Sequence, residues 1–207
     1  MLYSISFDQS WLYALDQGFE VCVVFFDISK AFDTVPYLAW LCKLQEMGLN
    51  PYLIRWIRSY LCQRSQFICI DGINSHSLPV ISGVPQGSVL GPLLFVLYVN
   101  DVVSTVSAES DVSMFADNIA LYRIIQTASD YRHLQDDIDS IVTCIDSKNL
   151  KFNAERCKLM LITSKNSKSL PPPDLTLDGT VLGRVFSYRY LGITITSNMS
   201  RHWMGYP

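Results

Sequence analysis

The chain has 207 residues, of which 49% are hydrophobic and 17% are charged, and its mean hydropathy is +0.21. This composition is typical of a folded domain of ordinary size. It excludes an intrinsically disordered chain and a coiled coil built on charged heptads. The net charge is −3, whereas a free-standing nucleic-acid-binding domain is usually basic, because phosphate contacts dominate its affinity.

The first half of the chain predicts one long strand, two helices and two short strands, at residues 21–26, 38–47, 51–61, 66–71 and 77–81. The strand is a continuous apolar run that ends at Asp27, as expected for a strand buried on both faces. Pro51 suits the first turn of the second helix. The short strands flank a turn at Asp71-Gly72.

The second half predicts a loop, an apolar helix, a hairpin, a long amphipathic helix and further strands, at residues 82–88, 89–106, 111–123, 129–148, 157–163 and 185–196. Ser88 is the expected N-cap of the apolar helix, and Asp117-Asn118 is the expected turn of the hairpin. Strands and helices alternate without a strict βαβ rhythm. This favours an α+β fold, with an antiparallel sheet and helices on one face.

Charge is distributed unevenly along the chain. Residues 30–70 contain five basic and two acidic side chains, whereas residues 109–146 contain eight acidic and two basic ones. The first segment therefore suits contact with phosphate, and the second would repel it. Three arginines of the basic segment, Arg55, Arg58 and Arg64, are candidates for contact with a nucleic-acid backbone.

Several classes of protein are disfavoured by the motifs that the sequence lacks. The longest apolar run has eleven residues, whereas a transmembrane helix needs about 20. The first residues carry no basic segment followed by a small-residue cleavage site, so no secretory signal is expected. The six cysteines include no Cys-x-x-Cys pair, which argues against a zinc site. The chain is therefore interpreted as intracellular (nuclear or cytoplasmic), not secreted and not membrane-bound.

Two carboxylates, Asp27 and Asp117, end or interrupt apolar strands. Burial of a lone carboxylate is costly unless it is paired or binds a cation. Two carboxylates brought together at one face of a sheet would offer the oxygen ligands that Mg²⁺ prefers, and a two-ion site supports in-line phosphoryl transfer. Spacing alone leaves an alternative open, in which Asp27 caps a helix and Asp117 forms a turn.

Five segments resemble, in the same order, the palm motifs of reverse transcriptases from LINE-type (non-long-terminal-repeat) retrotransposons. They are Phe-Asp-Ile-Ser-Lys-Ala-Phe-Asp at 26–33, Ser-Gly-Val-Pro-Gln-Gly-Ser-Val-Leu-Gly-Pro at 82–92, Phe-Ala-Asp-Asn at 115–118, Leu-Lys-Phe-Asn with Cys-Lys at 150–158, and Tyr-Leu-Gly at 190–192. The resemblance implies a reverse transcriptase (palm) domain over residues 1–200, followed by a tail at 201–207. It also implies a fragment, with most of the fingers missing and the thumb absent.

The resemblance implies RNA-directed DNA polymerisation with two Mg²⁺ ions, held by Asp27 and Asp117. The third motif is degenerate, because Asn118 occupies the place of a second aspartate. Together with the missing fingers and thumb, this predicts an enzyme that is inactive or crippled, with weakened Mg²⁺ binding. The alternatives are a non-catalytic nucleic-acid-binding module and a structural palm fragment.

The same resemblance assigns nucleotide-binding roles to two motifs. Lys30 and Ala31 would offer backbone N–H groups to the triphosphate, and Phe32 would exclude the ribose 2′-hydroxyl. Gln86 and Gly87 would lie along the incoming deoxynucleoside triphosphate. The alternatives are that Phe32 belongs to the core and that residues 82–88 merely lead into a helix.

The last two motifs imply contacts with pyrophosphate and primer. Lys158 would protonate pyrophosphate as a general acid, unless it is a solvated strand charge. Tyr190, Leu191 and Gly192 would grip the end of the DNA primer on its RNA template. The resemblance of Trp203-Met204-Gly205-Tyr206 to a retroviral primer grip is interpreted as coincidence. The high apolar content predicts self-association through exposed apolar faces.

Overall fold

The computed structural model describes residues 3–164 and 172–198, and its centre is a five-stranded sheet. In spatial order its strands are β11 (Gly183–Arg184), β8 (Lys158–Ile162), β1 (Glu20–Asp27), β7 (Asn118–Ile125) and β6 (Ser110–Phe115). Neighbouring strands are antiparallel except for β11 and β8, which are parallel. The predicted α+β fold with an antiparallel sheet is confirmed.

Six α-helices lie within the described residues, together with a 3₁₀ segment at Asn100–Thr105. They are α1 (Tyr3–Asp16), α2 (Ala31–Thr34), α3 (Tyr37–Glu46), α4 (Pro51–Leu61), α5 (Leu90–Val99) and α6 (Ala128–Ser147). The four predicted helices are confirmed as α3–α6, whereas α1 and α2 were not predicted. No helix in the described part of the chain is long and apolar enough to cross a bilayer.

Four small two-stranded ladders lie outside the main sheet. They are β2 (Arg64–Gln66) with β5 (Leu78–Val80), β3 (Cys69–Ile70) with β4 (Ile73–Asn74), β9 (Thr176–Leu177) with β10 (Thr180–Val181), and β12 (Ser187–Tyr190) with β13 (Ile193–Thr196). The predicted turn at Asp71-Gly72 is confirmed between β3 and β4. The tail at 201–207, including Trp203-Met204-Gly205-Tyr206, lies outside the described residues.

Strand β1 is buried on both faces, as its continuous apolar sequence predicts. Cys22, Val24 and Phe26 enter one hydrophobic cluster with side chains of α3–α6. The residues that alternate with them, Val21, Val23 and Phe25, enter a second cluster with side chains of α1, β12 and β13. Helices α3–α6 thus back one face of the sheet, as predicted, and α1 and the β12–β13 hairpin cover the other face, which the sequence did not predict.

A buried cation ties α6 to the hairpin that carries Asp117. The Arg123 side chain on β7 is only 5% exposed, and its Nη1 lies 3.6 Å from Asp137 Oδ2. Its guanidinium also donates to the hydroxyls of Ser107 and Ser110, and it contacts Asp130 at 3.6 Å. Two of the acidic residues in 109–146, Asp130 and Asp137, are therefore paired with Arg123 inside the fold and do not contribute negative charge to a ligand-binding surface.

Candidate active site

The two candidate carboxylates lie at the same end of the sheet. Asp27 is the last residue of β1 and pairs across the ladder with Asn118, the first residue of β7. Asp117 occupies the two-residue turn between β6 and β7. The left-handed residue of this turn is Ala116, with φ of 55°, and not Asp117 or Asn118. The predicted turn at Asp117-Asn118 was therefore one residue too late, because Asn118 already pairs with Phe115.

The segment that precedes β8 continues the pairing of β1 beyond its end. The Ser29 N–H donates to the Lys151 carbonyl of this segment at 2.8 Å, and the Asn153 N–H of the segment donates to the Asp27 carbonyl at 2.8 Å. The Asp27 N–H donates to the Cys157 Sγ at 3.3 Å. Burial raises the pKa of the Cys157 thiol to about 11, so the thiol is neutral near pH 7. This segment thereby holds both the N–H and the carbonyl of Asp27.

The electrostatics of Asp27 are those of a partly buried carboxylate beside a like charge. Burial raises the pKa of its carboxyl above the ordinary value, Arg156 opposes this rise, and the Asp117 carboxylate adds to it. Arg156 Nη1 lies 3.8 Å from Asp27 Oδ2. Asn118 Nδ2 donates to Asp117 Oδ1 at 3.1 Å. An aspartate at position 118 would add a third negative charge to those of Asp27 and Asp117. The Asn118 amide instead adds a hydrogen bond to Asp117.

Both carboxylates open into a cavity of about 380 Å³. Six predicted site residues line it: Asp27, Lys30, Ala31, Phe32, Gln86 and Asp117. The lining also includes Asp33, Asn153 and Arg156, to which the sequence analysis gave no role. Among the described residues, no three acidic, histidine or cysteine side chains lie close enough to hold a metal ion. The donor set is therefore two carboxylates, whose oxygen chemistry fits Mg²⁺.

Phe32 contributes to both the cavity and the core. Its ring centroid lies 5.1 Å from that of Phe95 on α5, and the residue is also part of the cavity lining. The two interpretations of Phe32 are thus compatible, since packing against α5 fixes the orientation of the ring that the ligand would meet.

The loop 82–88 packs tightly against the segment that follows Asp27. Val84 N–H donates to the Phe32 carbonyl at 2.7 Å, and Gly83 N–H donates to the Val35 carbonyl at 2.9 Å. At the helix entry, the Ser88 hydroxyl accepts the Gly91 N–H at 3.0 Å, as expected of a capping serine. These contacts bring Gln86 to the cavity beside Asp33, although the two residues are 53 positions apart in sequence.

The two glycines of this loop have different constraints. Gly83 has φ of 76°, and a Cβ there would lie 2.4 Å from the Phe32 carbonyl oxygen. Gly87 has φ of 77°, but a Cβ there would meet no atom within 4 Å. Gly83 therefore allows close packing inside the protein, whereas the space beside Gly87 is open to a ligand.

We expect Gly83→Ala to destabilise the fold more than Gly87→Ala does. The left-handed conformation alone costs an alanine about 1–2 kcal/mol, and Gly83→Ala adds a clash with the backbone. Urea unfolding of the two variants and the wild-type chain measures the difference. Equal losses of unfolding free energy would contradict the close packing of the loop on residues 32–35.

The remaining predicted residues lie outside this cavity. Lys158 Nζ donates to the Glu155 carbonyl at 2.5 Å and lies beside Gly183. Tyr190 is buried at the end of β12 and packs against Phe25, while Leu191 and Gly192 form the turn to β13. Arg55 and Arg58 lie exposed on α4, and Arg64 lies on β2.

Arg156 had no role among the sequence predictions, which named Lys158 instead. Arg156, and not Lys158, is the cation of this segment that lines the cavity. The sequence gives no signal for this difference, because both residues flank the start of β8. Only the turn of the backbone before the strand decides which cation faces Asp27.

A family model described as "Reverse transcriptase (RNA-dependent DNA polymerase)" matches residues 6–195. The chain is 31% identical over 187 residues to the "RNA-directed DNA polymerase from mobile element jockey" of Drosophila melanogaster, a match that covers 86% of this chain and 20% of that protein. It is 28% identical to the "Retrovirus-related Pol polyprotein from type-1 retrotransposable element R2" of Popillia japonica, covering 84% of this chain and 31% of that protein. The chain thus spans about a fifth to a third of the length of these relatives.

Solved telomerase structures share the fold at low sequence identity. Apo telomerase from Candida tropicalis superposes with a TM-score of 0.62 at 10% identity, covering 95% of this chain and 35% of that chain. Telomerase from Candida albicans with a fragment of telomeric RNA gives a TM-score of 0.59 at 12% identity, covering 93% of this chain and 32% of that chain.

Proposed function

Because the chain belongs to the reverse transcriptase family, as its resemblance to LINE-type retrotransposon enzymes predicted, we propose that its cavity is a polymerase active site in a weakened form. The activity is RNA-directed DNA synthesis, with an RNA template, a DNA primer and deoxynucleoside triphosphates as partners. The observation that carries the proposal is the placement of Asp27 opposite Asn118, with Asp117 beside it, at the mouth of one cavity. Primer extension by a grafted palm, described in the Discussion, tests it.

Use of Mg²⁺ is general in this family, and Asp27 and Asp117 are the residues that would hold two ions here. Ions held there would activate the primer 3′-hydroxyl and stabilise the leaving pyrophosphate. Asp27 is positioned for this by the backbone contacts of Asn153 and Cys157. Asn118 adds a neutral oxygen where a third carboxylate would add charge, which is why we propose weakened binding.

Other residues have proposed roles around the nucleotide. The backbone N–H groups of Lys30 and Ala31 bind the triphosphate, and the ring of Phe32 excludes a ribose 2′-hydroxyl. Gln86 and the open space at Gly87 border the nucleotide. Lys158 acts as a general acid only if its ammonium leaves the Glu155 carbonyl.

The β12–β13 turn is proposed to contact the primer, through Tyr190, Leu191 and Gly192. The hairpin packs on β1 two residues before Asp27, where the Tyr188 and Phe25 rings stack at 4.1 Å. A primer end held at this turn would therefore lie near the carboxylates.

A second candidate function, nucleic-acid binding without catalysis, is favoured by the surface of α4. Residues 47–70 include Arg55, Arg58 and Arg64 and no acidic residue. Within the described residues none of these three arginines forms an ion pair. Tyr52 is 79% exposed, with the Arg55 guanidinium 5.9 Å from its ring centre. Exposed aromatic rings beside unpaired cations suit stacked bases and phosphates.

We expect replacement of all three arginines by glutamine to weaken binding of single-stranded RNA and to flatten its salt dependence. Each lost phosphate contact reduces the slope of log K against log[salt] by about 0.7, so the triple variant loses about 2. Arg132→Gln, on the acidic helix α6, is the control and should leave the slope unchanged. An unchanged slope in the triple variant would exclude this surface.

We also propose that the chain self-associates through exposed apolar side chains of the β3–β4 region. Ile68, Ile70 and Ile73 are 66–75% exposed, and contiguous apolar surface drives association. Sedimentation velocity over a concentration series should show oligomers, which Ile70→Lys with Ile73→Lys should reduce. A monomer at every concentration would contradict the proposal.

We place the protein inside the cell, in the nucleus or cytoplasm. All six cysteines are free, which suits a reducing compartment.

A further inference from the structure

Asp33 lines the same cavity, although no chemistry was assigned to it. Gln86 Nε2 donates to Asp33 Oδ1 at 2.9 Å, so this hydrogen bond joins the first palm motif to the loop 82–88. Both side chains lie at the cavity wall. In the described part of the chain, Asp33 does not complete a cluster of three metal-ligating side chains with Asp27 and Asp117. Its partner in the fold is the amide.

Both ends of this hydrogen bond are fixed by other contacts. The Asp33 N–H donates to the Lys30 carbonyl at 2.9 Å, and the Asp33 carbonyl accepts from the Ser82 hydroxyl at 2.7 Å. The loop itself is held by the Gly83 and Val84 N–H groups on residues 32–35. The backbones that carry the carboxylate and the amide are therefore held against each other, while both side chains reach solvent.

The chemistry of the pair determines the orientation of the amide. An ionised carboxylate only accepts hydrogen bonds, whereas a glutamine amide has a donor end and an acceptor end. The NH₂ group of Gln86 must therefore face Asp33. With Nε2 directed at the Asp33 carboxylate, the Oε1 end of the Gln86 amide is left as the acceptor end.

We propose that Asp33 is a positioning residue, whose carboxylate holds the Gln86 amide so that Oε1 accepts a hydrogen bond from an O–H or N–H group of a nucleoside triphosphate in the cavity. This inference rests on the proposed function of the cavity. It predicts that the polarity of the Asp33–Gln86 pair, and not merely its presence, determines ligand affinity.

The experiment measures binding of a deoxynucleoside triphosphate, in the presence of Ca²⁺, to the full chain by equilibrium dialysis. In Asp33→Asn the amide of Gln86 is free to reverse, because asparagine both donates and accepts. Loss of one fixed hydrogen bond is worth about 0.5–1.5 kcal/mol, so we expect affinity to fall roughly two- to tenfold. Asp136→Asn, on the exposed face of α6, is the matched control and should bind as the wild type does.

A charge-conserving exchange separates positioning from structure. Gln86→Glu alone places two carboxylates against each other and should bind worse than the wild type. In the double variant Asp33→Asn with Gln86→Glu, the asparagine donates to the glutamate, and an acceptor oxygen again faces the cavity. We expect the double variant to bind several-fold tighter than Gln86→Glu alone.

Each alternative outcome has a distinct meaning. If the wild type binds nucleotide and Asp33→Asn binds equally, or if the double variant gives no rescue, the inference is overturned while the proposed function stands. If the unfolding temperature of Asp33→Asn falls below that of Asp136→Asn by an amount that accounts for the lost affinity, Asp33 is structural only. If the wild-type chain binds no nucleotide, the proposed nucleotide site fails, and the role of Asp33 fails with it.

Discussion

Asn118→Asp should restore polymerase activity to this palm when the rest of the enzyme is supplied. Residues 20–200 are grafted into a complete related reverse transcriptase, and primer extension is compared between the parent graft and its Asn118→Asp variant. Removal of one member of a closely paired buried charge costs about 3–5 kcal/mol. If that loss falls on the transition state, the variant should be roughly 10²- to 10⁴-fold faster.

The structure gives the reason for an effect of this size. Asn118 lies directly opposite Asp27 on the neighbouring strand, and its amide donates to Asp117. An aspartate there adds a third carboxylate beside two that already repel each other. The variant should therefore be less stable without divalent cations and should bind them more tightly. Equal extension rates of the two grafts would show that the second carboxylate is dispensable, and this palm would then be fully active.

Asp27→Asn should stabilise the metal-free chain near neutral pH and abolish its stabilisation by Mn²⁺. Burial raises the pKa of the Asp27 carboxyl in the folded state. A raised pKa means that the folded state holds its proton more tightly than the unfolded state does. Ionisation of Asp27 therefore lowers the free energy of unfolding. This loss of stability is absent below the ordinary carboxyl pKa, grows as the pH rises, and is complete above the pKa of the folded state.

Thermal unfolding at pH 3 and pH 7, with and without Mn²⁺, measures this prediction. At pH 3 the variant and the wild type should unfold at similar temperatures, and at pH 7 the variant should be the more stable without metal. Ligand at 100 times its dissociation constant stabilises a protein by about 2.7 kcal/mol, and only the wild type should gain this. Mn²⁺ stabilisation that persists in Asp27→Asn would place the metal elsewhere.

Local patterns predicted the elements that carry the site better than they predicted the contacts between them. The apolar run before Asp27 forms the central strand because alternate residues fill two different hydrophobic clusters. The β6–β7 hairpin was expected, but its turn shifted by one residue because Ala116 takes the left-handed conformation. Helix α1 was missed, and with it the covering of the second face of the sheet.

The missed site residues share one physical cause. The Asp33–Gln86 hydrogen bond joins residues 53 positions apart, and the Asp27–Cys157 hydrogen bond joins residues 130 positions apart. Partners so far apart in sequence produce no periodic pattern. An aspartate, a glutamine or a cysteine is also an ordinary residue in the segment where it stands, so no single position indicates the contact. The resemblance to the family identified the motifs, but only the folded chain shows which side chains of each motif meet.

Iron-mediated cleavage of the 207-residue chain with Asn118→Asp tests most directly whether Asp27 and Asp117 form the metal site. Fe²⁺ replaces Mg²⁺ in oxygen-ligand sites and, with ascorbate and peroxide, cuts the backbone close to where it is bound; mass spectrometry maps the cuts. We predict cleavage near Asp27 and near Asp117, suppressed by excess Mg²⁺ and lost when Asp27→Asn is added. Cleavage confined to the acidic residues of α6, or an unchanged pattern in the double variant, would contradict the account.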